Sequence, residues 1–328
     1  MKTTQVVMPH AGGPEVLEFQ QRDLPEPGPG QVRLKVEATG VAFAEVQMLR
    51  GRYYAQPKFP FVPGYDLVGE VEAAGPGVAV GGRVAAMTRT GAWAERLVVP
   101  AAHLVPVPDD LDAGEVVALI TNGVTAYQMI HRVAKVAAGQ TVLVHGAAGG
   151  VGTLLVRLAL RAGARVIGTA SPGKHDQVRE LGAIPLDYRD PLLVERVRQH
   201  APGGVAAVFD HAGGPGLKRS WAMLGRGGIL IVYGSAATVD DKGWRLAPYA
   251  SALGRLLWWS LLPNGRRGRL YGISHRGHFD EDLATVIDLL RKGEIQPRVA
   301  ARLPLAKAPE ALRMLDDRAV VGKIVLEP

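Results

Sequence analysis

The stretch Thr141-Val142-Leu143-Val144-His145-Gly146-Ala147-Ala148-Gly149-Gly150-Val151-Gly152 decides the fold of this chain. A short apolar run drops directly into glycines at regular spacing. A buried parallel strand reads as such a continuous run, and Gly146, Gly149 and Gly152 then let the backbone turn sharply and approach a ligand. Val151 to Ala162 predicts a helix whose first N–H groups point into that turn, together with the positive end of the helix dipole. A pyrophosphate suits such a place.

Strand and helix patterns alternate beyond the turn. Strands are predicted at Ala164–Thr169, Ile184–Leu186, Val205–Phe209 and Gly228–Tyr233, with helices at Lys174–Leu181 and Pro191–Gln199 between them. This unbroken alternation specifies a doubly wound parallel sheet with the glycine turn after its first strand.

The N-terminal third has a different character. Short β-rich runs at Val32–Glu37, Leu67–Ala73, Arg83–Met87 and Arg96–Val99 are punctuated by Pro and Gly, which predicts a compact, mostly antiparallel β domain. From about Gly265 the tail offers a strand near Leu270, a helix Asp280–Lys292, a strand near Val299, a helix Ala308–Leu315 and a last strand Lys323–Leu326. A terminal strand needs a sheet to join, so the tail is expected to return to the N-terminal domain.

Composition sets limits on the remaining possibilities. The 328 residues suit roughly two domains, and 47% hydrophobic with 21% charged is ordinary for a globular protein. Cysteine is absent, which rules out disulfides, thiolate metal ligands and cysteine nucleophiles and is compatible with a reducing cytoplasm. The net charge of +7 includes Arg266, Arg267 and Arg269, but no basic tract interleaved with aromatics supports nucleic acid as the main partner. The first residues lack the apolar core of a signal peptide, and Leu253–Leu262 falls short of the roughly 20 residues that span a bilayer. A soluble cytoplasmic protein is expected.

Five motifs then occur in order: Gly64-Tyr65-Asp66-Leu67-Val68-Gly69, Gly81-Gly82-Arg83-Val84, Thr125-Ala126-Tyr127, the glycine turn, and Gly322-Lys323-Ile324-Val325-Leu326. In this order the chain resembles, over essentially its whole length, the medium-chain dehydrogenase/reductase superfamily, and within it the zinc-free quinone oxidoreductase (zeta-crystallin-like) and enoyl reductase branch. The resemblance implies an α/β protein. A GroES-like, mostly β catalytic domain would be formed by residues 1–118 and 264–328, a doubly wound Rossmann domain by 119–263, and the substrate cleft would lie at their junction. It also implies a homodimer paired along the Rossmann edge strand near Arg269–Ile273.

The departures are equally informative. Zinc-dependent relatives hold their catalytic zinc with two cysteines and the histidine of a Gly-His-Glu motif, which here reads Gly64-Tyr65-Asp66. Such a zinc needs three protein ligands, and this site cannot supply them. No metal is expected, and reduction of a quinone or a conjugated double bond is favoured over Lewis-acid carbonyl reduction.

Cofactor choice follows from the residues after the second strand. An acid there would bind an adenine ribose, whereas Thr169-Ala170-Ser171 is followed by Lys174 with no acid before Asp176, which favours NADPH. The resemblance places Lys174, Tyr188 and Arg318 at the 2′-phosphate, and Ser171 can donate a hydrogen bond as well. Gly150 and Val151 complete the pyrophosphate turn. Thr125 matches the threonine behind the nicotinamide and also reads as the N-cap of a helix Tyr127–Val133. Gly234 and Ser235 end the fifth strand near the pyrophosphate, and His211 reads as a polar loop residue of the pocket wall rather than a proton donor.

Candidates for the chemistry lie in the first domain. Glu45 and Gln47 fall in Val41–Gln47, where Ala42 and Glu45 replace the asparagine and aspartate of quinone reductases, and Glu45 can equally pair with Arg50 or Arg52. Tyr53 matches the family tyrosine after a glycine, and Tyr65 occupies the zinc-histidine position. Either hydroxyl can donate to a developing oxyanion without being ionised. Leu253, Leu256, Leu257 and Leu261 fit one packed helix face, and the segment with Trp258 and Trp259 reads as a cover over an apolar substrate pocket. The leading expectation is an NADPH-dependent reductase of a small apolar quinone or α,β-unsaturated carbonyl compound. The alternatives are an enoyl-thioester or natural-product-specific reductase, and a catalytically silent NADPH-binding protein with sensory or RNA-binding work.

Overall fold

The computed structural model describes residues 1–79, 81–240, 243–317 and 320–328. The chain divides into two compact units, Met1–Val124 with Ser274–Pro328, and Thr125–Ile273.

In the first unit the N-terminal run gives β1 (Lys2–Val7), β2 (Glu18–Asp23), β3 (Gln31–Val41), α1 (Phe43–Leu49), β4 (Asp66–Ala74), β5 (Arg83–Met87), β6 (Arg96–Pro100) and β7 (Val105–Pro106). Helix α2 (Ala113–Tyr127) carries the chain into the second unit. That unit runs β8 (Thr141–His145), α3 (Gly150–Arg161), β9 (Arg165–Ala170), α4 (His175–Glu180), β10 (Ile184–Asp187), α5 (Leu193–His200), β11 (Val205–Asp210), α6 (Leu217–Met223), β12 (Leu224–Val232), α7 (Ala247–Ser260) and β13 (Arg267–Leu270). The tail returns to the first unit with α8 (Phe279–Arg291), β14 (Val299–Pro304), α9 (Ala308–Asp316) and β15 (Lys323–Glu327).

The first unit is built on a bent sheet ordered β14-β15-β3-β4-β5-β7, with β6 also on β3. Strand β3 is long enough to serve two partners on one edge: Gln31–Lys35 pair with β6, and Thr39–Val41 pair with β15. Its inward residues Val32, Leu34 and Val36 pack with Leu67, Val84, Ala86 and Leu97. Such apolar side chains contribute about 1.5–3 kcal/mol each when fully buried. The last strand therefore joins β3 of the N-terminal run and carries β14 on its other side, as expected of the tail, while β1 and β2 pair with each other in a separate two-stranded sheet.

In the second unit the strands run β10-β9-β8-β11-β12-β13, all parallel. Numbered within the unit this is the order 3-2-1-4-5-6 of a dinucleotide-binding sheet, whose ligands collect where the order reverses, outside the carboxyl ends of its first and fourth strands. Here those are β8 and β11. Because β13 is the sixth strand of this sheet, the unit reaches Ile273; the strand near Leu270 does not go with the tail.

Two local expectations are corrected. Thr125 is not an N-cap: it lies near the end of α2, whose start is capped by Asp112, with Oδ1 accepting the Glu115 N–H at 2.8 Å. The apolar periodicity of Val116, Val117, Leu119, Ile120 and Val124, all buried, carries the helix through Asn122 and Gly123, and a π-helical segment Gln128–Ala134 follows it directly. Nor do the α7 leucines form one packed face. Leu256 is buried against β13 and Trp259 packs on Trp221, whereas Leu253, Leu257 and Leu261 are exposed, Leu261 at 79%. Among the described residues, no helix is long and apolar enough to cross a membrane.

Candidate active site

In the parallel-sheet unit, the glycine turn is shaped by close backbone approach. Gly146 has φ +65°, and a Cβ there would lie 2.5 Å from Cε1 of His211. The Gly149 N–H donates to the Gly146 carbonyl at 2.8 Å, and a Cβ on Gly152 would stand 2.0 Å from that same oxygen. Gly150 and Val151 open α3, and its N-cap, Gly149, offers no side-chain oxygen to the first-turn N–H groups. The first turn of α3 is thus free of side-chain capping, as an anion-binding helix end requires.

His211 sits on this turn at the end of β11, its ring also 6.2 Å from that of Tyr233. Gly234 passes beside the His211 carbonyl, and the Ser235 hydroxyl donates to Tyr249 Oη at 2.7 Å. A buried relay that sequence reasoning missed locks these strand ends together. Asp210 accepts the Ser220 hydroxyl at 2.6 Å and the N–H groups of Ala212 and Gly213. His145 lies 3.1 Å from Ser220 Oγ through Nε2 and 2.9 Å from Thr169 Oγ1 through Nδ1. Burial holds the His145 imidazole below its ordinary pKa, so at neutral pH it is uncharged, with Nε2–H donating to Ser220 and Nδ1 accepting from Thr169. The parallel register brings His145, Thr169 and Asp210 to one end of the sheet, and α6 sets Ser220 against them.

Ser171 and Lys174 follow β9, and Tyr188 follows β10. Ala170 pairs with Asp187, so Ser171 and Tyr188 leave adjacent strands from facing positions, at one end of the sheet. Partial burial lowers the Lys174 pKa. Arg189, which the sequence reading did not single out, adds a cation: its guanidinium lies 5.1 Å from the Tyr188 ring centroid, and Nε donates to the Tyr188 hydroxyl at 3.1 Å. Arg219 donates to the Tyr188 carbonyl at 3.1 Å. Arg318 lies outside the described residues. Thr125 is buried near the end of α2, one turn before a π-helical segment that Tyr271 holds through Gln128 Oε1 at 2.7 Å.

In the GroES-like unit, Tyr53 and Tyr65 meet hydroxyl to hydroxyl at 2.8 Å with both rings buried. Burial pushes the Tyr65 phenol up to about 12 and raises that of Tyr53 further, so both are neutral donors at neutral pH. Asp66, next in sequence, is fully buried. It accepts the Thr121 hydroxyl and pairs with Lys323, whose Nζ is 3.0 Å from Oδ2. The first and last motifs of the resemblance are therefore ion partners, 257 residues apart in sequence.

Glu45 is also fully buried; its Oε2 accepts the Ala42 N–H at 2.9 Å and caps α1. Arg50 does not pair with it, being held by Asp316 at 2.6 Å instead. Gln47 lies buried on the same helix.

Residues 28–109 match the model of the alcohol dehydrogenase GroES-like domain, and residues 181–326 that of the zinc-binding dehydrogenases. A 2-haloacrylate reductase from Burkholderia sp is 34% identical, with 97% of this chain and 96% of that protein aligned. The rat synaptic vesicle membrane protein VAT-1 homolog is 32% identical over 98% of this chain and 83% of its own length. Among solved structures, mycobacterial Rv1454c complexed with NADPH matches with a TM-score of 0.85 at 32% identity, covering 99% of this chain and all of that one. Escherichia coli quinone oxidoreductase complexed with NADPH matches with a TM-score of 0.88 at 26% identity, covering 99% of this chain and 100% of that one. Likeness of this extent, on a 3-2-1-4-5-6 sheet and a GroES-like sheet closed by the C-terminal strand, places the chain in the medium-chain dehydrogenase/reductase superfamily, in its quinone oxidoreductase branch.

Proposed function

We propose that this protein is an NADPH-dependent reductase that acts on a quinone or on the conjugated double bond of an α,β-unsaturated carbonyl compound, without a catalytic zinc. NADPH supplies the reducing equivalent when bound. The turn Gly146–Gly152 and the first turn of α3 hold its pyrophosphate, and Ser171, Lys174 and Tyr188, with Arg189 beside them, hold the 2′-phosphate. The Tyr53–Tyr65 pair donates a hydrogen bond to the acceptor oxygen as negative charge develops there. When Tyr53 donates to Tyr65, the Tyr65 proton is left for a further acceptor, and a neutral phenol at that place stabilises an oxyanion without being ionised.

One observation carries this reading. At the Gly-His-Glu position the chain sets a tyrosine and a carboxylate already neutralised by a buried ammonium, in a protein without cysteine. That donor set suits a developing oxyanion and leaves no thiolate or imidazole there for a zinc ion. The 2-haloacrylate reductase relative, whose name describes a conjugated substrate, agrees with double-bond reduction.

Following NADPH oxidation against a simple quinone, an enone, a 2-haloacrylate and an enoyl thioester tests it. Turnover of the quinone, the enone or the haloacrylate is the expected result. Exclusive use of the thioester would redirect the assignment to an acyl reductase, and tight NADPH binding with no turnover would support a silent binding protein.

Cofactor choice has its own test. Lys174→Ala is expected to weaken NADPH binding about tenfold, the worth of one charged hydrogen bond to phosphate, and to leave NADH binding nearly unchanged. Titrating both nucleotides by fluorescence decides the matter, since an equal loss for the two would remove Lys174 from the phosphate site.

A further inference from the structure

A second cluster lies in the GroES-like unit, apart from the tyrosine pair. His103 stands in the turn before β7 at φ +70°, His275 in the segment leading to α8, and Asp280 in the first turn of α8. The two imidazoles stack with centroids 4.6 Å apart, and His103 Nδ1 lies 2.9 Å from Asp280 Oδ2. One ligand atom from each of the three residues can be chosen so that all lie within 4.8 Å of one another, the one such group of three among the described residues.

The surroundings prepare these atoms. His275 Nε2 sits 2.8 Å from the Met87 carbonyl, an acceptor only, so the proton resides on Nε2 and Nδ1 presents its lone pair. That Nδ1 is buried and has no hydrogen-bond partner, and the same is true of Asp280 Oδ1. A histidine fixed through its far nitrogen by a backbone carbonyl is the arrangement that supports a metal-bound imidazole. Phe279, fully buried, packs edge-on to the His275 ring at 4.9 Å and holds its plane.

We propose that His103, Asp280 and His275 bind one divalent transition-metal ion, of which Zn²⁺ is the representative. Two imidazoles and one carboxylate form a borderline-soft donor set, which suits zinc, cobalt, nickel or copper better than calcium or magnesium. Donors about 2.1 Å from an ion are at most about 4.2 Å apart, so the cluster needs to contract by less than about 1 Å. His103 meets the ion through Nδ1 by moving its proton to Nε2, which breaks its hydrogen bond to Asp280 and leaves the carboxylate to the metal. Water completes the coordination. The nearby Arg89 opposes a cation there and limits the affinity. Bound there, the ion ties the turn before β7 and the end of β5 to the start of α8. It is distinct from the family's zinc position, where this chain has Tyr65.

The test uses the full-length protein stripped with chelator and titrated with Zn²⁺ against a chromophoric competitor, then with Co²⁺, whose visible absorption reports imidazole coordination. One equivalent should bind, the d–d bands should appear, and Asp280→Asn and His103→Gln should each weaken Zn²⁺ about 10- to 100-fold. Thermal melting of the stripped variants, expected to match the stripped parent, separates loss of ligands from loss of fold. Failure to bind one equivalent at micromolar Zn²⁺, or equal binding by parent and variants, overturns the assignment.

Discussion

Lys323→Met is expected to cost about 3–5 kcal/mol of folding stability at pH 8 and distinctly less at pH 5, as read by urea unfolding at the two pH values. The Lys323 and Asp66 side chains are 2% and 0% exposed, and Nζ lies 3.0 and 3.3 Å from the two carboxylate oxygens. The hole they share is closed on one side by Gly40, where a Cβ would come within 2.2 Å of Asp66 Oδ1. Methionine fills the volume of the lysine stem but removes the ammonium, leaving Asp66 with the Thr121 hydroxyl as its remaining side-chain partner on Oδ2.

Glu45 gives the same region its pH dependence. Burial pushes its carboxyl up from the ordinary 4.5 to about 7, against the opposing pull of Lys323. A carboxyl whose folded pKa is raised gives full stability below its unfolded pKa and loses it as pH rises through the folded one. Glu45 therefore costs the native parent about 3 kcal/mol between pH 4.5 and 7. Without Lys323 the pull that opposes burial is gone and Glu45 resists ionisation further, so its protonation at pH 5 relieves that part of the deficit. A loss below about 1 kcal/mol at pH 8 would show that the pair is dispensable. The double variant Asp66→Asn, Lys323→Met should recover part of the loss, because position 66 then no longer buries an uncompensated charge.

The parallel-sheet unit was legible because its signals are local. An apolar run, glycines three residues apart and alternating periods each occupy a few adjacent residues, and strand order follows from them through right-handed crossovers. The tail's return was legible for a related reason, since Lys323–Leu326 is a strand needing a sheet. What sequence did not reveal are contacts made between distant positions. Asp66 with Lys323, His145 with Thr169, Ser220 and Asp210, and His103 with His275 and Asp280 are ordinary polar residues until the fold sets them side by side. Thr125 failed as a cap because burial along α2 outweighs a local start signal. The α7 leucines show the limit of periodicity: it gives the helix but not which side is covered.

Gly152→Ala should abolish NADPH binding within the usual titration range, a loss of more than about 100-fold, while Gly149→Ala should stay within a few fold of the parent. The two glycines differ by three positions and by what a methyl group meets. At Gly152 the nearest neighbours are backbone, the Gly146 oxygen at 2.0 Å, the Gly146 carbon at 2.9 Å and Ala147 Cα at 3.0 Å, so the turn must open to admit it. Opening it displaces the first turn of α3 from the strand and breaks the Gly149 N–H bond to Gly146 that holds the turn closed. At Gly149 the one close atom is the Gly146 oxygen at 3.2 Å, and φ is −80°, which any L-residue adopts. Far-ultraviolet circular dichroism and melting of the free protein distinguish a lost site from a lost fold: whatever the melting point of Gly152→Ala, its binding loss must exceed that of Gly149→Ala measured well below both melting points. If the two variants bind NADPH equally well, close approach of α3 to the Gly146 carbonyl is not what shapes the cofactor site, and the phosphate would have to be held by side chains alone.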